Sequence, residues 1–120
     1  GVGLFEKDMH LSLLMDTYGA LLSERKRELM SYYYDEDYSL AEIAEITGIS
    51  RQGIRDSVKK SETELRELEE KLHLAERTQK LTRSLSELSA NLTRIASDTK
   101  EPSIKTALAD AVRSIEEIVL

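Results

Sequence analysis

Apolar residues recur at intervals of three and four along most of the chain, which predicts helices almost throughout. Over residues 6–22, Leu11, Leu14, Met15, Tyr18, Leu21 and Leu22 fall on one face and predict a first helix. Gly19 costs about 1 kcal/mol relative to alanine within a helix and predicts a local break or a close crossing there. Ser23 can cap a second helix that runs to about Tyr34 and buries Leu29, Met30 and Tyr33. Ser39 followed by Glu42 forms a capping box for a third, short helix with Leu40, Ile43 and Ala44 on its inner side. Gly48 ends that helix because it accepts positive φ. Ser50 can cap a fourth, with Ile54 and Val58 inward and Arg51, Gln52, Arg55 and Lys59 outward. The inward stripe continues through Ser61, Leu65, Leu68, Leu72 and Ala75, predicting one helix from Arg51 to about Glu76. Its length would be roughly 39 Å at 1.5 Å per residue. The phase then slips, so a bend near residues 77–80 is expected. A new rhythm begins at Leu81, Leu85, Leu88, Leu92 and Ile95. Residues 97–103, with the chain's single proline at Pro102, read as a connection. A last helix carries Ile104, Leu108, Val112, Ile115 and Val119.

Two short amphipathic helices about one glycine, from Ser39 to Lys60, look like a helix-turn-helix. Ala44 is small where the helices cross, and Ile49 fills the angle after the turn. A helix laid in a DNA major groove must carry hydrogen-bond donors on the face opposite its own core, and the fourth helix does. The alternative is an ordinary helical hairpin with a solvated basic face. The joint spacing of alanine, glycine, branched apolar residues and a capping serine favours the helix-turn-helix. Arg25, Lys26 and Arg27 sit in the first turn of the second helix, where cations oppose the helix dipole. They either face an anion such as phosphate or are balanced by Glu24 and Glu28 on a solvated face. Tyr32, Tyr33, Tyr34 and Tyr38 read as core with wet hydroxyls in preference to a base-stacking platform. Asp35, Glu36 and Asp37 read as a solvated turn in preference to a cation site.

Residues from about Leu21 to Leu74, including Leu-Leu-Ser-Glu-Arg-Lys-Arg-Glu-Leu-Met, Tyr-Ser-Leu-Ala-Glu-Ile-Ala-Glu and Ile-Ser-Arg-Gln-Gly-Ile, resemble the YlxM family of small bacterial proteins. The resemblance implies a helix-turn-helix similar to region 4 of sigma factors. It also implies a link to the signal recognition particle pathway, because genes of that family commonly lie beside those for particle components. This chain departs from the family pattern at Gly53, where alanine is commoner, and at Arg55, where an aromatic is frequent.

Composition narrows the function classes. The chain has 120 residues, 33% of them charged, and a net charge of -6, which argues against a general nucleic-acid binder. The charge is blocked, however: residues 51–60 hold Arg51, Arg55, Lys59 and Lys60 against Asp56, residues 61–76 are acidic, and residues 77–100 are basic again. No apolar run is long enough for a membrane span and no signal segment opens the chain, so a cytoplasmic protein with no membrane partner is expected. With no cysteine and only His10 and His73, neither a metal nor another cofactor is expected. No phosphate loop, nucleophile motif or paired-carboxylate site stands out, so neither catalysis nor a small-molecule substrate is expected.

The expected fold is all-α: a helix-turn-helix domain over residues 1–76 and a helical hairpin over 77–120. Two functions remain open. One is a DNA-binding regulator using Ser50, Arg51, Gln52 and Arg55 toward bases, with Lys59, Lys60 and the Arg25, Lys26 and Arg27 trio on phosphates. The other is an adaptor whose protein partner belongs to the signal recognition particle or to RNA polymerase. The C-terminal hairpin is expected to associate as at least a dimer through Leu81, Leu85, Leu88, Leu92, Ile95, Leu108, Val112 and Ile115.

Overall fold

The computed structural model describes residues 9–119, and every regular element among them is helical. The chain divides into two compact units, Gly1–Ala75 and Glu76–Leu120. None of the described helices is long and apolar enough to cross a membrane.

The first unit is arranged around its longest helix. Helix α1 spans Met9–Tyr18 and runs into a 3-10 turn, Gly19–Leu21. Helix α2 spans Glu24–Met30, α3 spans Leu40–Thr47 and α4 spans Arg51–Leu72. Helices α1, α2 and α3 all pack on α4. The inward stripe of α4, Ile54, Val58, Ser61 and Leu65, is buried against Leu11, Leu14, Tyr18, Leu29, Met30 and Ile43. The expected start of the first helix at residue 6 lies outside the described residues.

Three expectations change. The break expected at Gly19 takes the form of a 3-10 turn, but its tighter winding throws Leu21, expected on the inner face, outward, where it is 66% exposed. Leu22, in extended backbone, takes the core position instead.

The second helix is α-helical only to Met30. Residues Ser31–Asp35 then form a π turn, closed by the Glu36 N–H donating to the Ser31 carbonyl at 3.1 Å. The extra residue leaves Tyr32, Tyr33 and Tyr34 all half-buried, so Tyr33 is not a full core residue. Tyr32 stacks on Tyr38 with centroids 5.9 Å apart, and Tyr33 meets Tyr34 edge-on at 5.1 Å. Asp35 and Glu36 are exposed, and Asp37 adopts positive φ, a conformation that aspartate tolerates.

Helix α4 does not reach Glu76. It ends at Leu72, His73 turns left-handed with φ 55°, and α5 starts at once and spans Leu74–Asp98. Residues 77–80 are therefore ordinary helix and the phase slip occurs one turn earlier. The cause is distant in sequence. The Tyr18 hydroxyl donates to the Glu69 carboxylate at 2.5 Å and accepts from the Leu74 N–H at 3.1 Å. The same Glu69 oxygen accepts from the Ala75 N–H at 3.0 Å. The opening amides of α5 thus find side-chain acceptors, as a helix start requires. Ala75 becomes fully buried, while Leu72 and Leu74 are exposed.

The second unit consists of α5 from Glu76 onward and α6, Pro102–Val119. Pro102 is the first residue of α6, where the missing N–H costs nothing. Leu85, Leu92, Leu108 and Val112 are half-buried, and Ile115, at 8% exposure, is the one buried hydrophobic among the unit's described side chains. The side chain of Val119 lies outside the described residues.

Candidate nucleic-acid interface

The helix-turn-helix is built from short-range hydrogen bonds. Ser39 Oγ accepts from the Glu42 N–H at 3.1 Å, and the Glu42 carboxylate accepts from the Ser39 N–H at 3.1 Å, which closes the capping box. Gly48, at φ 76°, donates its N–H to the Ala44 carbonyl at 2.9 Å and turns the chain. Thr47, which the sequence pattern did not single out, braces the turn. Its hydroxyl donates to the Ile43 carbonyl at 2.8 Å and accepts from the Ile49 N–H at 3.3 Å. Ser50 Oγ accepts from the Gly53 N–H at 3.1 Å and opens α4. Ile43 and Ile54, both fully buried, fix the crossing of α3 on α4.

Gly53 has a local reason. A Cβ there would lie 3.1 Å from both Ile49 Cγ2 and Ser50 Oγ, crowding the turn filler and the cap together.

The outward face of α4 carries Arg51, Gln52, Arg55, Asp56, Lys59 and Lys60, all exposed. None of its four cations is ion-paired within the described residues. Gln52 Nε2 donates to Asp56 Oδ1 at 2.9 Å, so this amide is engaged along the helix and the carboxylate is held on the same face. Arg55 and Lys59 line a cleft of about 230 Å³ with Tyr33, Leu40, Val58 and Glu62. Glu62 accepts a hydrogen bond from the Tyr34 hydroxyl.

The cations of α2 do not join this set. Lys26 is bonded to Glu64 of α4, and Arg25 lies 3.6 Å from Glu28 on its own helix. Arg27 lines a separate open cleft of about 550 Å³ whose other charged residues are Asp16, Glu24, Glu28, Asp35 and Glu36. Such surroundings repel phosphate. Of the two readings of this trio, an anion site or balance by Glu24 and Glu28, the Arg25–Glu28 pair fits the second, while Lys26 turns to Glu64 and Arg27 lines the acidic cleft. Ser23 caps α2 through its hydroxyl, which accepts from the Lys26 N–H at 3.3 Å.

Two features of the first unit go beyond what its periodic pattern signals. One is the Tyr18 and Glu69 pair at the α4–α5 break. The other is Ser61, fully buried with a hydroxyl that has no hydrogen-bond partner. Burial holds the Tyr18 phenol above its ordinary pKa, and the hydrogen bond to Glu69 adds to the rise.

A family model described as "Putative helix-turn-helix protein, YlxM / p13 like" (UPF0122) matches residues 5–106. A UPF0122 protein of Thermoanaerobacter sp. strain X514 is 39% identical over 112 residues, covering 93% of this chain and 96% of its own. A UPF0122 protein of Listeria welshimeri is 43% identical over 91 residues, covering 76% and 83% respectively. One of Symbiobacterium thermophilum is 45% identical over 84 residues, covering 70% and 78%. Match, helix order and turn geometry agree, and the chain belongs to the UPF0122 family of YlxM/p13-like helix-turn-helix proteins.

Proposed function

We propose that the chain is a DNA-binding regulatory protein that lays the N-terminal half of α4 in the major groove. Arg51 and Arg55 then face base edges, and Lys59 and Lys60 neutralise phosphates. The observation that carries this reading is the set of four cations on the outward face, none of them ion-paired among the described residues. Ser50 contributes mainly as the cap, with its hydroxyl proton left to donate outward. Gln52 must give up its bond to Asp56 to read a base.

Fluorescence anisotropy with duplex DNA tests the reading. Two phosphate contacts predict a loss of roughly tenfold in affinity between 50 and 200 mM salt. Arg51→Ala and Arg55→Ala should each weaken binding about fivefold or more, and Arg51→Ala should also flatten any sequence preference. Arg27→Ala, in its acid-lined cleft, should leave affinity unchanged. Persistent binding by both α4 variants would show that another surface holds the DNA.

The second reading is an adaptor for a protein of the signal recognition particle or of RNA polymerase. Asp56 favours it, because Gln52 holds that carboxylate on the outward face, where it opposes phosphate. A chain that binds no duplex at low salt, yet is retained by such a partner in nuclease-treated lysate, would establish the adaptor.

A further inference from the structure

We propose that Asp56, held in place by Gln52, sets the sequence preference of α4 by accepting a hydrogen bond from the N4 amino group of a cytosine in the major groove. The inference rests on the DNA-binding reading above and names the base that this face selects. Along α4 each residue turns about 100° from the last. Ile54, Val58, Ser61 and Leu65 centre the buried stripe. Gln52 and Asp56 then fall within about 30° of the line opposite that stripe, with Lys59 and Lys60 about 50° to either side of it. A helix lying in the groove thus turns the pair to the base edges and the two lysines to the phosphate walls. Both residues of the pair also lie in the first two turns of α4, the part of a reading helix that contacts bases.

The middle of this cationic face is therefore an acceptor. Asp56 is exposed and has Lys59 and Lys60 three and four residues on, yet it forms an ion pair with neither. Its carboxylate takes one bond among the described residues, from Gln52 Nε2 to Oδ1 at 2.9 Å. That bond steadies the carboxylate along the helix and leaves Oδ2 without a partner. Gln52 keeps the bond and acts through Asp56, as a positioning residue.

An ionised carboxylate offers acceptors alone, so it needs a donor on the base edge. Thymine and guanine turn acceptors to the major groove, and adenine sets its N7 acceptor beside the N6 amino group. Cytosine is the base that presents a donor with no acceptor of its own beside it. Against thymine O4 or guanine O6 the same carboxylate meets a like partial charge, so rejection adds to selection.

Selection at low salt from a pool of duplexes with a randomised centre reads the preference, and fluorescence anisotropy on the selected duplex measures it. The wild type should recover a position held by cytosine, and exchanging that C·G pair for T·A should weaken binding about fivefold or more. Asp56→Asn should move the preference at that position to adenine, whose N7 and N6 suit an asparagine amide. Gln52→Ala should lower the discrimination between C·G and T·A, while its thermal unfolding stays close to that of the wild type because the side chain is exposed. An Asp56→Asn protein that selects the wild-type sequence overturns the inference and leaves the DNA-binding reading standing, and so does a wild type that binds duplexes with no cytosine position. Unaltered discrimination in Gln52→Ala overturns the part given to Gln52. A wild type that binds no duplex overturns both the inference and the reading beneath it.

Discussion

Helices α4 and α5 carry the same rhythm of apolar residues and meet different fates. In α4 the stripe from Ile54 to Leu65 is buried because α1, α2 and α3 converge on it. In α5 the stripe from Leu81 to Ile95 is half-buried along one edge and open along the other. Periodicity therefore names the face that wants covering and says nothing about what covers it. The first unit supplies its own cover from short helices with strong caps. The second carries a single well-buried hydrophobic, Ile115, among its described side chains.

The largest effect should come from breaking the better-covered stripe. Leu65 is fully inaccessible in α4, so Leu65→Ala should cost about 2–5 kcal/mol in urea unfolding, the sum of lost transfer energy and a residual cavity. Leu81→Ala removes the same atoms from an exposed site. At a concentration where the chain is monomeric it should shift the midpoint by under about 0.5 kcal/mol. Equal costs at the two sites would mean that the α5 stripe is covered as fully as that of α4.

What could be read in advance divides along the same line. Both caps, the glycine turn and the outward face of α4 were legible, since each signal lies within three or four residues: Ser39 with Glu42, Gly48, Ser50 with Gly53. The end of α4 was not. Its cause is Tyr18, whose hydroxyl reaches the Leu74 amide across 56 positions. The heptad rhythm alone carried the helix on to Glu76. The partner of Lys26 was hidden for the same reason, because Lys26 finds Glu64 across 38 positions. The helix dipole left open whether that trio faced an anion or its own glutamates, and tertiary packing made part of it a brace. The π turn has no periodic signal either, since one added residue in a run of tyrosines resembles an ordinary helix end.

A change of pH should probe the α4–α5 break. In the unfolded chain a tyrosine loses its proton near pH 10, whereas burial and Glu69 make folded Tyr18 hold its proton to higher pH. Unfolding above pH 10 thus releases a proton, so stability from this group is complete below pH 10 and falls as pH rises toward the folded value. Tyr18→Phe leaves the Leu74 N–H without its acceptor and should lower stability at neutral pH, by less than Leu65→Ala. Its loss of stability above pH 10 should be shallower than that of the wild type. Parallel alkaline slopes for the two proteins would show that Tyr18 titrates as an exposed phenol.

One substitution in the first unit should bring a gain. Ser61 sits on the buried stripe of α4, between Val58 and Leu65, fully inaccessible and with its hydroxyl unpartnered. A small residue suits a position where neighbouring helices close in on α4, and that is a steric role alanine fills equally well. The hydroxyl adds only the cost of desolvation without a bond, about 1–3 kcal/mol for a buried polar group. Alanine also has the better helix propensity by a few tenths of a kcal/mol. Ser61→Ala should therefore raise the stability of the first unit by about 1 kcal/mol, with an unchanged urea m-value. Ser61→Val, which keeps the apolar character but adds a methyl to a filled site, should lose stability through overpacking. A loss on Ser61→Ala would mean that the hydroxyl is bonded in solution, to an internal water or a helix carbonyl, and that the tightest part of the better-covered unit is less dry than its burial implies.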